Sequence, residues 1–136
     1  MLFNLLGGFS SKTDFIVSLI TLLLRIPAVL LALSLHESAH GYFANKMGSP
    51  TAKNLGRITI NPAKHLDPIG TISMLLFGIG WAKPVPVNSR NFKNPRKGMA
   101  CTAAAGPLVN LLLGFLSLAG LVFGTKIFLS ANSDNM

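Results

Sequence analysis

A single cysteine, Cys101, in a chain of 136 residues excludes an internal disulfide and any zinc cage built from cysteines; a small residue in a tightly packed helix is the use it suits. Charge is scarce as well. Only 12% of residues are charged against 50% hydrophobic, and the mean hydropathy is +0.53, which argues against an ordinary water-soluble globule and points to lipid. The length allows one domain. The net charge of +8 would suit nucleic acid, but no nucleic-acid motif accompanies it. The basic residues lie between apolar segments, where the cytoplasmic loops of a membrane protein carry them, so no nucleic acid is expected and anionic lipid headgroups are the expected partner. The N-terminus lacks the charged start and small-residue cleavage site of a secretory signal, and the first span is expected to be retained.

Acids and imidazoles are scarcest of all. There are three histidines, His36, His40 and His65, and four acids, Asp14, Glu37, Asp67 and Asp134. Apart from the two acids near the termini, all of them fall into two short stretches. One is Ser34-Leu35-His36-Glu37-Ser38-Ala39-His40, at the end of an apolar run reaching back to Phe15; the other is Asn61-Pro62-Ala63-Lys64-His65-Leu66-Asp67-Pro68-Ile69-Gly70. Such economy suits a single site better than a solvated surface. The first stretch contains H-E-x-x-H, in which two histidines four apart share one helix face and can grip one metal ion with the glutamate between them. Ionisable groups at membrane depth are expensive, so such a cluster is read as a functional site by default.

Along the chain, residues 2–13 read as a short interfacial lead-in. Residues 14–47 form a helical pattern too long for one perpendicular span, since about 20 residues cross a hydrocarbon core of about 30 Å. Arg25 and Pro27 interrupt it, and a boundary or a kink there would leave residues 26–46 as the crossing, with His36 and His40 inside the membrane zone toward the Lys46 end. Residues 48–68 make a basic, turn-rich loop in which Arg57-Ile58-Thr59-Ile60 alternates like a strand. Residues 69–81 are apolar but too short to span. Because both flanking loops are basic, a re-entrant hairpin is expected, with a short third span as the alternative; the hairpin would let Asp67 dip toward the histidines. The loop 82–97 follows. Its start, Trp81-Ala82-Lys83-Pro84-Val85-Pro86-Val87-Asn88, reads as an extended edge that pairs with an unwound substrate or as a plain basic loop. Residues 98–130 form the second long apolar segment, with small residues before Pro107, which starts or interrupts the helix, and Gly120-x-x-x-Gly124 near its far end, where helices could approach closely in a homo-oligomer. Asn110 would bond a neighbouring helix or face the site. Residues 131–136 read as a frayed tail. The fold class expected is an all-α, multi-pass membrane protein: two long transmembrane helices, one short re-entrant or third apolar segment, and short extended loops, with the basic loops cytoplasmic.

Four motifs in order, H-E-x-x-H on an apolar helix, N-P-x-x-H-x-D-P-x-G, W-A-K-P-V-P-V-N and A-G-P-x-x-N, resemble the site-2 protease family of intramembrane zinc metalloproteases, in particular its compact prokaryotic branch. The resemblance covers about residues 27–116. It implies Zn²⁺ held by His36 and His40, Glu37 as general base, and a transmembrane protein as substrate, in a prokaryotic cell membrane. Family members supply a third ligand from an aspartate in an L-D-G motif on a later helix. No Asp-Gly occurs here, and the chain reads as stopping about where that helix would begin. Asp67 is then the candidate third ligand, with His65 second and a supporting or structural role for Asp67 as the alternative; His65, Asn61 and Asn110 are candidates for orienting ligands or touching substrate. Two other classes stay open: an inactive, truncated member acting as a membrane binding partner, and a membrane metal-binding or transport protein.

Overall fold

The computed structural model describes residues 12–133; the expected lead-in at 2–11 and the last residues of the tail, 134–136, lie outside them. The architecture is two long helices with a folded loop region between them. Helix α1 runs Lys12–Met47 and helix α4 runs Pro95–Ser133. Between them lie a single-turn helix α2 (Thr51–Asn54), a 3₁₀ turn Pro62–Lys64, helix α3 (Pro68–Phe77) and a 3₁₀ turn Ser89–Asn91. No strand forms among the described residues.

Both long helices are long and apolar enough to cross a membrane. With 36 residues, α1 is about 54 Å long at the usual rise, well beyond a hydrocarbon core of about 30 Å. Its outer face exposes Leu23, Leu24 and Leu31, and that of α4 exposes Leu111, Phe115 and Phe128. A soluble protein would bury such a surface; acyl chains can cover it. The fold is thus all-α with two potential spans, as composition and periodicity imply.

Two expected interruptions are not breaks. Pro27 lies inside α1 and Pro107 inside α4. Each proline removes one backbone donor, yet the helix continues, because in lipid no other conformation would satisfy the remaining backbone groups. Residues 131–133, expected to fray, belong to α4.

The helices pack antiparallel. His36 meets Asn110 and His40 meets Thr102, so position rises along one helix as it falls along the other. Small residues permit the approach: Ala39 and Ala44 on α1 and Ala105 on α4 are buried. Gly48 closes α1 with φ 115°, a left-handed value that disfavours any side chain; a Cβ there would also lie 2.7 Å from the Asn91 carbonyl oxygen.

Between the spans, α3 leaves and returns at one place. Leu66 pairs antiparallel with Ala82, and the Lys83 N–H donates to the His65 carbonyl at 2.8 Å. Gly70 lies so close to the Trp81 backbone that it has no room for a side chain. At ten residues, α3 is about 15 Å long, shorter than a hydrocarbon core of about 30 Å, and its two ends are tied together. The strands expected at 57–60 and 82–88 are absent. Residue 82 makes one isolated bridge. In place of a strand partner, Thr59 takes a side chain: its carbonyl accepts from Ser38 Oγ at 2.5 Å and its N–H donates back to the same oxygen at 3.1 Å. Ser38 is the residue after Glu37, so the loop is pinned to the H-E-x-x-H turn itself.

Candidate metal centre

His36 and His40 sit one turn apart on the face of α1 that meets α4. Their rings are edge-to-face with centroids 4.7 Å apart. Each ring is held by its Nδ1. That of His40 donates to the Thr102 carbonyl at 2.6 Å, and that of His36 lies 3.0 Å from the side-chain nitrogen of Asn110. With both Nδ1 atoms engaged, both Nε2 atoms turn to α4, and they converge on Gly106. A Cβ at Gly106 would lie 2.5 Å from His36 Nε2 and closer still to His40 Nε2. Zinc binds imidazole nitrogen at about 2.0–2.1 Å. Gly106 therefore packs so closely against both nitrogens that any side chain there would collide with them, and it marks the point of α4 at which both rings are aimed.

Three features of this site escaped the motif reading: the Thr102 carbonyl, the close approach at Gly106 and the Ser38 tie. A signal for two of them was present. Thr102, Gly106 and Asn110 are spaced by four along α4, as His36 and His40 are along α1, and residues so spaced share a helix face. Asn110, left open between bonding a helix and facing the site, does both.

Glu37 is half-buried beside the pair, and no hydrogen bond or ion pair with a described residue occupies its carboxylate. It is free to accept a proton.

The second cluster does not join the first. Asp67 is the N-cap of α3, its Oδ1 accepting from the Gly70 N–H at 2.9 Å. His65 is fully buried and its Nε2 donates to the Thr59 carbonyl at 2.8 Å. Asn61 caps the Pro62–Lys64 turn by accepting from the Ala63 N–H at 3.0 Å. Among the described residues no group of three His, Cys, Asp or Glu side chains is placed to share a metal ion. The expectation that Asp67 or His65 completes the site gives way to a structural one. The proline after Asp67 starts a helix whose free N–H groups need an acceptor, and His65 satisfies the loop carbonyl that lacks a strand partner. The donor set on this chain is thus two imidazoles and a nearby carboxylate base, which fits a zinc site short of one ligand.

No family model matches the chain, and no solved structure matches it. Among curated proteins it is 51% identical over 88 residues to a protein of Bacillus subtilis (strain 168) named "Putative zinc metalloprotease YwhC". The likeness is to a zinc metalloprotease. The match covers 65% of this chain and 40% of that relative, so the chain spans less than half the length of the protein it resembles. At this identity the similarity supports relationship to a zinc metalloprotease family.

Proposed function

We propose that this chain carries the zinc-binding and proton-transfer half of an intramembrane metalloendopeptidase of the site-2 type. The observation that carries the reading is the convergence of His36 Nε2 and His40 Nε2 on one point of the facing helix, Gly106, one residue from an unengaged Glu37. The relative's name supports the metal and the reaction class, and the two potential spans support a membrane setting.

His36 and His40 would hold Zn²⁺, with a third protein ligand supplied from outside the described residues. Zinc supplies a Lewis acid that polarises the scissile carbonyl and acidifies water toward a pKa of about 7. The chain's own residues do the rest. Glu37 takes a proton on its carboxylate as water attacks the carbonyl, and returns it to the amine that leaves. Thr102 holds the His40 ring through Nδ1–H and leaves Nε2 bare. Ser38 keeps the loop 57–65 against the catalytic turn, so that polar backbone at membrane depth stays paired.

The substrate we infer is a transmembrane helix. His36 lies ten residues before Lys46, about 15 Å along α1, which supports a site within the apolar zone, where the peptide bonds at hand are those of other spans. An apolar groove of about 320 Å³ between Phe43 and the Cys101 to Leu112 stretch of α4 runs beside it. A helix must unwind before its carbonyls can be attacked, so helix-weakening residues near the cut would favour cleavage. Anionic headgroups around the basic loops and self-association along the open Gly120 and Gly124 face belong to the same proposal.

The test is zinc content of the purified, detergent-solubilised protein together with cleavage of a membrane-inserted helical substrate. The reading expects near-stoichiometric zinc in the wild type and in Glu37→Gln, none in His36→Ala, and cleavage in the wild type alone. Zinc absent from the wild type would remove it; zinc present without cleavage would favour a metal-binding partner role.

A further inference from the structure

The net charge is concentrated in one part of the chain. Nine of the twelve basic residues and one of the four acids lie from Lys46 to Lys97, so this stretch carries the whole net charge of +8. Its acid, Asp67, is committed to capping α3. Where α1 ends and α4 begins, the chain closes around a cavity of about 220 Å³ lined by Lys46, Met47, Gly48, Lys93, Asn94 and Lys97. Three of these six are lysines and none is acidic. Packing fixes the walls. The Asn88 N–H donates to the buried Ser49 Oγ at 3.1 Å, Gly48 abuts the Asn91 carbonyl, and a Cβ at Gly98 would strike the buried Phe92 ring.

Local electrostatics opposes this placement. Like charges that share a small cavity repel. Arg96 and Lys97 lie in the first turn of α4, which holds no acid, at the helix end where the backbone dipoles favour an anion. Lys46, in the last turn of α1, suits its own helix, but the fold brings it to the same cavity as Lys93 and Lys97. Where a fold keeps a local conflict of this kind, a functional site is the usual reason, and a bound anion would remove the conflict.

The cavity continues into an apolar one. One turn further along each helix, toward the apolar zone, the groove of about 320 Å³ opens between Phe43 and Cys101, Ala104, Leu108 and Leu112. Phe43 precedes Lys46 by three residues, and Lys97, Cys101, Ala104 and Leu108 follow one another at steps of four, three and four. Both hollows therefore lie on one face of the same seam. From Cys101 to Leu112 the groove runs about 16 Å along α4.

We propose that this seam binds one anionic phospholipid, with its phosphate among Lys46, Lys93 and Lys97 and an acyl chain in the groove. The inference rests on the membrane setting proposed above and not on the metal. Free phosphate or an acidic peptide would engage the lysines and leave the groove empty; a neutral lipid would fill the groove and leave the lysines uncompensated. The acyl chain would lie against Ala105 and Val109, the neighbours in sequence of Gly106 and Asn110, so the lipid would form part of the wall of the candidate metal site.

Binding is measured by native mass spectrometry of the full chain in detergent with added dioleoylphosphatidylglycerol, dioleoylphosphatidylcholine or sodium phosphate. The wild type is expected to retain one phosphatidylglycerol in preference to phosphatidylcholine. Each lysine near an anionic lipid is worth about a fivefold change in binding, so Lys46→Gln, Lys93→Gln and Lys97→Gln combined are expected to weaken phosphatidylglycerol about 100-fold. Lys53→Gln, Lys64→Gln and Lys83→Gln combined remove the same charge from residues that do not line the cavity and are expected to bind near the wild type. Ala104→Phe, filling the groove from an exposed position, is expected to weaken both lipids. Equal loss in the two triple variants, or no preference between the lipids, would mean diffuse attraction and would overturn the proposal. Phosphatidylglycerol that is unaffected by Ala104→Phe and displaced by sodium phosphate would overturn it in favour of a phosphate pocket without a chain. A wild type that binds neither lipid yet is recovered in the membrane fraction of cells would overturn the proposal alone; recovery in the soluble fraction would overturn it together with the membrane setting.

Discussion

The two stretches that hold the chain's interior histidines and acids use the same chemical groups to opposite ends. In His36–His40 each ring is anchored through Nδ1 and its Nε2 is aimed at Gly106 on the facing helix. In the Asn61–Asp67 stretch every bond made holds the fold: Asn61 caps a turn, His65 bonds the Thr59 carbonyl, and Asp67 caps α3. The difference comes from what surrounds them. A continuous helix meets its own backbone needs and leaves side chains for other work. A loop without strand partners must borrow side chains to satisfy its carbonyls and N–H groups. Residue type alone does not separate a ligand from a cap.

Substitutions can break this contrast from either side. The largest effect is expected from Gly106→Ala: a methyl group there would collide with both imidazoles and should reduce bound zinc to background while circular dichroism shows the helices intact. Zinc retained at the wild-type level would mean the ion does not sit over Gly106. Next, Glu37→Gln should keep its zinc and lose cleavage by about 10²–10⁴-fold, the usual worth of a positioned acid–base group; a loss of zinc instead would make Glu37 a ligand. In the second stretch, His65→Leu should cost about 1–3 kcal/mol of stability in thermal or SDS titration through the lost buried bond, with zinc unchanged. The smallest effect belongs to Asp67→Ala. Removing a cap costs about 0.5–2 kcal/mol, again with zinc unchanged, and zinc lost from this variant would return Asp67 to the metal site.

Much of the fold was legible because apolar periodicity and length carry it. Two long helices, a short apolar segment that turns back, and basic loops follow from where apolar runs start and stop. The histidine pair was legible for the same reason, since four residues along a helix is one turn. The prolines misled. Pro27 and Pro107 break helices in water, where the freed carbonyl has other partners, but not here. Strand-like alternation at 57–60 misled in a second way: a strand needs a neighbour, and Thr59 found the hydroxyl of Ser38. Asp67 could not be judged from its motif, because a carboxylate before a proline serves equally as ligand or as helix cap, and only the hydrogen bond to Gly70 tells which. Gly106 reads in the sequence as one of a patch of small residues; its role as the point of closest approach to both imidazoles shows only with the facing helix in place.

The antiparallel pairing of α1 with α4 matches residues four apart on one helix with residues four apart on the other, His36 with Asn110 and His40 with Thr102. Such a match works like the teeth of a rack. Sliding one helix by a single turn, about 5.4 Å, would move one ring opposite the wrong tooth and part the imidazoles from Gly106. If the site works as proposed, its competence would depend on vertical alignment along the membrane normal, so that bilayer thickness, by tilting or shifting one span against the other, could grade it without touching any residue of the site.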